Sequence, residues 1–101
     1  MKIPELLSRY SAGQRDFRNL NLMAANLRNI NLSGANFSGA NFTKANLSRT
    51  NLSRANLTDA VLTGANLAET NLVQANLTNV TLTDVDLEQA DIRGAIIRQV
   101  S

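Results

Sequence analysis

The chain has 101 residues, with 10 Lys and Arg against 8 Asp and Glu for a formal net charge of +2, and it contains no Cys, His or Trp. That length suits one small domain, and the missing residue types exclude a disulfide framework, a thiol nucleophile and any histidine-based acid, base or metal ligand. Aromatic residues make up only 4% against a large excess of Leu, Ala and Asn, so the core has to be assembled from many small, similar units.

In chain order, the first element is a short helix. Ile3, Leu6, Leu7 and Tyr10 fall at i, i+3, i+4 and i+7, one face of about two helical turns. Pro4 suits the first turn, Glu5 suits the positive end of the helix dipole, and Gly13 can stop the helix with a positive φ. A helix this short is not stable alone, so residues 1–14 are expected to act as a capping helix and linker over the first turn of whatever follows. Lys2 is not followed by an apolar leader, because Glu5 and Arg9 interrupt it, and no apolar run approaches the ~20 residues of a membrane span. The expectation is a cytoplasmic protein with no membrane partner.

From Phe17 a large apolar residue returns every fifth position: Phe17, Leu22, Leu27, Leu32, Phe37, Phe42, Leu47, Leu52, Leu57, Leu62, Leu67, Leu72, Leu77, Leu82, Leu87, Ile92 and Ile97. Two places before each centre the residue is mostly Ala, immediately before it mostly Asn, and immediately after it mostly Ser or Thr. The fifth place varies. A period of five fits neither regular element: on a helix successive centres would lie ~140° apart, and on a flat strand they would alternate between faces. If each repeat turns the chain by a quarter, every centre faces one axis and twenty residues close a coil.

Stacked coils then place residues twenty apart at ~4.8 Å. Phe17, Phe37, Leu57, Leu77 and Ile97 form a first column of centres, and Leu22, Phe42, Leu62 and Leu82 a second. Leu27, Leu47, Leu67 and Leu87 form a third, and Leu32, Leu52, Leu72 and Ile92 a fourth. All seventeen centres are the expected core of a solenoid spanning residues 15–101, with about four coils. Buried Ala, the ladder between coils and stacked Asn columns are expected to supply the remaining stability.

The C-terminal stretch has no covering segment of its own. Ile96 stands where the repeat places Asn, next to Ile97 and Val100, so apolar side chains meet an open coil end. An end-to-end homodimer through Ile96, Ile97 and Val100 is the expectation there.

On the outer faces, charge divides along the axis. Lys2, Arg9, Arg15, Arg18, Arg28, Lys44, Arg49 and Arg54 oppose Glu5 and Asp16 up to Thr58, whereas Arg93 and Arg98 oppose Asp59, Glu69, Asp84, Asp86, Glu88 and Asp91 beyond it. Arg28, Arg49 and Arg54 are the candidate contact residues for an unidentified protein partner, and Arg49 and Glu69, one coil apart, are an expected ion pair. This modest basic patch has no interleaved aromatics, which argues against nucleic acid. The Ser and Thr residues sit at a turn position without a base beside them, and Asp84, Asp86 and Glu88 lack the frame of a calcium loop. No catalytic residue, cofactor or metal is expected.

The recurring Ala, Asn, Leu, Ser or Thr, variable residue resembles the pentapeptide-repeat family from Arg15 to the C-terminus. The resemblance implies an all-β, right-handed quadrilateral parallel β-helix; handedness comes from the resemblance and not from the spacing. The stretch Leu7 to Phe17, with Tyr10, Gly13, Arg15 and Asp16, is similar to the starts of short cyanobacterial members. The function implied is a non-enzymatic binding or scaffold module working through its outer faces. Two alternatives follow from the same resemblance: a DNA-mimicking protein that acts on gyrase, and a structural spacer. Against the first stand the positive N-terminal half and the lack of an inserted loop.

Overall fold

The computed structural model describes residues 1–99. Helix α1 spans Ile3–Ser11, with Pro4 in its first turn, and Glu5 pairs with Arg9 one turn on at 2.7 Å. It ends at Gly13, whose φ of +96° no other residue type adopts readily. There the Gln14 N–H donates to the Arg9 carbonyl and the Gly13 N–H to that of Tyr10, the paired bonds of a glycine-terminated helix. The apolar face is turned onto the solenoid: Leu6 is fully buried, Ile3 and Tyr10 pack against the core, and Leu7 is half-buried. The Tyr10 hydroxyl donates to the Ser33 carbonyl at 2.7 Å, while the Arg15 guanidinium lies 3.7 Å over the Tyr10 ring.

The rest of the described chain is a solenoid with a register of twenty. Parallel bridges join Asp16 to Asn36, Asn36 to Asn56 and Asn56 to Asn76, and the same interval recurs on the other three sides. The repeat Asn36 to Ala40 shows where every backbone donor goes. The Asn36 N–H donates back to Arg15 (2.7 Å), and those of Phe37 and Gly39 donate forward to Asn56 and Thr58 (2.8 Å each). The Ala40 N–H closes the turn onto the Phe37 carbonyl at 3.0 Å. The remaining donor, Ser38 N–H, is taken by the Asn36 side-chain oxygen at 3.0 Å. Five donors, five acceptors, and no continuous strand is needed.

That last bond assigns the asparagines a different job from the stacked ladder expected of them. Each Oδ1 accepts the N–H two residues on, at Asn21, Asn26, Asn31, Asn36, Asn41, Asn46, Asn51, Asn56, Asn66, Asn71 and Asn76. These are Asx turns, the local alternative to regular structure that Asn and Asp favour. The variable fifth residue then carries a positive φ, as the third residue of a type II turn must. Besides Gly34, Gly39, Gly64 and Gly94, this strained place holds Lys44, Arg49, Arg54, Glu69 and others at φ of 56–61°.

Inside, the centres fill the axis. Phe17 through Leu77 are each at most 2% exposed, with Ala35, Ala40, Ala55, Ala60 and Ala75 between them. Phe37 stacks on Phe17 in its own column (5.4 Å between ring centroids) and meets Phe42 of the next column edge-on (5.2 Å). Thr50 and Thr70 replace Ala at the small place and are fully buried, each hydroxyl donating to a carbonyl of the layer beneath, Leu27 at 2.6 Å and Leu47 at 2.7 Å. The last layer departs from the expected core. Leu82 and Leu87 are only half-buried, and Ile92 and Ile97 are 37% and 45% exposed, because no described layer lies above them. A centre is buried only when a neighbour covers both of its axial sides.

Two consequences are measurable by chemical unfolding. Replacing the acceptor in Asn46→Ala should lower stability by about 1–2 kcal/mol, since the Ser48 N–H and hydroxyl both donate to it. Val61→Asn supplies the acceptor that this repeat lacks and should raise stability by about 1 kcal/mol. Along the axis, Leu52→Asp, in a fully buried centre, should abolish the folded circular-dichroism signal, while Ile97→Asp should leave it intact.

Candidate interaction surfaces

With the interior filled by packing, the chemistry of the protein lies on its outer faces and its C-terminal end. The fifth place of each repeat projects outward at a fixed backbone geometry, and residues one layer apart make contact along a column. Arg49 Nε reaches Glu69 Oε2 at 2.6 Å, Arg54 Nε donates to Gln74 Oε1 at 3.0 Å, and Asn79 Nδ2 donates to Asp59 Oδ1 at 2.8 Å. The Arg49–Glu69 pair is more than half exposed on both sides, so it contributes ~0.5 kcal/mol or less.

Of the three arginines singled out in the sequence, Arg49 and Arg54 are thus held by partners within the chain. Arg28 is exposed in the layer below and shares only the third column with Arg49. Arg28 and Arg49 lie one layer apart on the third column, and Arg54 lies on the fourth. Met23, 53% exposed in the first layer, is an apolar surface residue that the repeat pattern conceals, because it merely occupies a Ser or Thr place.

At the C-terminal end, Ile96 is 46% exposed beside Ile92 and Ile97, and Leu82 and Leu87 complete the apolar surface. Val100 lies outside the described residues. Gln99 turns its side-chain amide onto the Val80 carbonyl at 3.1 Å, occupying one acceptor of the last ladder. On the third column this layer is out of register: the Glu69 N–H donates to Gln89, whereas Arg49 one layer below donates to Ala68, nineteen residues on. Among the described residues the Asn66–Asp86 bridge that continues the series is missing as well.

Two exposed ion pairs repeat one local geometry. Asp16 and Asp91 each receive the guanidinium of the arginine two residues on, at 2.8 Å from Arg18 and 2.7 Å from Arg93, and also its backbone N–H. The side-chain hydrogen bond, reinforced by the backbone one, holds both carboxyls below their ordinary value of 3.8. Depressed values favour the folded state above the unfolded value, and that contribution disappears as pH falls through the folded one. Among the described residues no group of carboxylates is arranged to hold a metal ion, and no helix is long and apolar enough to cross a membrane. Carboxyl-carbon NMR should show Asp16 and Asp91 titrating below 3.8, and Arg93→Ala should return Asp91 most of the way, leaving only the backbone N–H to lower it.

Residues 21–59 and 60–99 match the profile for pentapeptide repeats, in eight copies. No protein with a curated description matches the sequence. Among solved structures, a pentapeptide repeat protein from Nostoc Pcc 7120 is 35% identical, with a TM-score of 0.79 over 93% of this chain and 74% of its own. HetL of Nostoc sp. Strain PCC 7120, a pentapeptide repeat protein involved in heterocyst differentiation regulation, is 32% identical over 94% of this chain but only 46% of its own, at a TM-score of 0.51. A pentapeptide repeat protein from the Arabidopsis thaliana thylakoid lumen is 27% identical over 80% of this chain and 57% of its own, again at 0.51. The twenty-residue register, the five-residue unit and these likenesses agree: the chain belongs to the pentapeptide-repeat family, and its solenoid is the right-handed β-helix of that family.

Proposed function

We propose that this protein is a non-enzymatic binding or scaffold module that engages a protein partner through the outer faces of its solenoid. In this reading residues 15–101 form about four coils, the segment 1–14 with α1 covers the first of them, and the C-terminal end pairs with a second copy. One observation carries it: the repeat consumes its invariant places in packing and backbone bonding, and displays its variable place outward at a fixed, positive φ. A rigid array of variable side chains suits recognition by shape and charge, because little side-chain-bearing backbone has to be ordered on binding. The burial of Leu6 and the Tyr10 bond to Ser33 support the covering role of α1, and the exposed Ile92, Ile96 and Ile97 support end-on pairing.

Two experiments test this. A pull-down from a cyanobacterial lysate should retain a partner on the wild-type chain and lose it on the triple variant Arg28→Glu, Arg49→Glu, Arg54→Glu, with both proteins folded by circular dichroism. Retention by both would move the contact off these faces. Sedimentation should show the wild type as a concentration-dependent dimer and Ile97→Asp as a monomer; a monomeric wild type at ~100 μM would remove the end-on pairing.

A further inference from the structure

The rim of the C-terminal end carries its charges unevenly, and that unevenness selects how two copies meet. Going round the last layer, Arg98 sits on the first column, Asp84 on the second, Asp86 and Glu88 on the third, and Asp91 with Arg93 on the fourth. The fourth column is neutral, because Arg93 and Asp91 already pair at 2.7 Å. Arg98 and Glu88 are exposed, and neither side chain has a partner among the described residues.

We propose that the end pairs with a second copy of this chain in one register, with Arg98 of each copy set against the Asp86 and Glu88 side of the other. This inference rests on the end-on pairing proposed above. A twofold axis perpendicular to the solenoid reverses the order of the columns, so an isologous contact has four quarter-turn registers. One sets the first column on itself and the third on itself, placing Arg98 on Arg98 and carboxylates on carboxylates. A second sets the second column on the third, again carboxylates on carboxylates. The other two oppose Arg98 either to Asp84 or to Asp86 and Glu88. Counting unit charges, the last has the greatest net attraction, even with Asp84 left facing its own copy, because the third column carries two carboxylates. That column is also where the last layer is tied least to the one beneath: among the described residues the Asn66–Asp86 bridge is missing, and the Glu69 N–H bond to Gln89 is the backbone bond that remains. The side of the rim with most charge is therefore the side least committed to its own chain.

The register is read out by exchanging charges between copies. Arg98→Glu and Glu88→Arg are made separately in the 101-residue chain; Asp86 is left alone because its carboxyl accepts the Glu88 N–H. Arg98→Glu by itself puts like charges at both contacts, and Glu88→Arg leaves both without net attraction because Asp86 offsets the new positive charge; pairing measured by sedimentation in low salt should weaken in both, about tenfold or more for Arg98→Glu. Mixed one to one, the two variants keep Arg98 against Asp86 and Glu88 at one contact and lose the repulsion at the other, so the mixed dimer should form more tightly than either variant with itself, by about tenfold or more relative to Arg98→Glu. Circular dichroism should be unchanged throughout, since both side chains are exposed. If instead Asp84→Arg, and not Glu88→Arg, restores pairing with Arg98→Glu, the register is wrong. Variants that pair as tightly as the wild type overturn the charge-selected contact while leaving end-on pairing standing. A wild type that never pairs removes both.

Discussion

The structure depends on one hydrogen bond repeated along the chain: the Asn side-chain oxygen accepting the N–H two residues later. The five-residue unit turns a corner every repeat, and a corner costs the ladder a donor. Turn closure takes the fourth residue after Asn, the ladder takes the N–H groups of Asn itself, the centre and the fifth-place residue, and one donor is left at the inner bend. Without an acceptor it would be left unpaired at a partly exposed corner, at a cost of up to ~1–3 kcal/mol, which the repeats carrying Val61 and Thr81 in the Asn place do not avoid in this way. The Asn oxygen removes that cost locally, with no help from a neighbouring coil. Everything else in the solenoid, from the close axial stacking to the filled interior, presupposes corners that are already satisfied.

The second constraint is steric. Corners of this kind need a positive φ at the fifth place, and the chain meets it with Gly at four repeats but with Lys44, Arg49, Arg54 and Glu69 at others. Left-handed conformations at such residues cost on the order of 1 kcal/mol each. Some of the charged residues that accept this strain are also held from layer to layer, Arg49 by Glu69 and Arg54 by Gln74. Strain and display thus coincide at one place in the repeat. A side chain already held in place loses less freedom when something binds to it.

The two ends are unequal for a physical reason. At the N-terminal end α1 brings its own apolar face, with Leu6 buried and Ile3 and Tyr10 packed against the core. At the other end the centres Ile92 and Ile97 have the right residue type in the right place, yet stay exposed. Burial in a solenoid is a property of neighbouring layers, not of a repeat. The apolar end and its charged rim are therefore where a further partner changes the energetics most.

The sequence by itself determined the period, the columns and their order, because spacing is a one-dimensional quantity and a quarter-turn per repeat is the simplest geometry that keeps Phe17, Leu22, Leu27 and Leu32 facing one axis. It also held, unread, the clue to the Asn bond: Asp stands in for Asn at positions 16, 86 and 91, and Asp shares only the acceptor, not the amide donor. Tertiary structure alone decided which centres are buried, that Arg49 and Arg54 are engaged within the chain, and that the last layer slips at Asp86. Those outcomes depend on what lies above and below each residue at distances of a few ångströms, which the spacing of a repeat does not record.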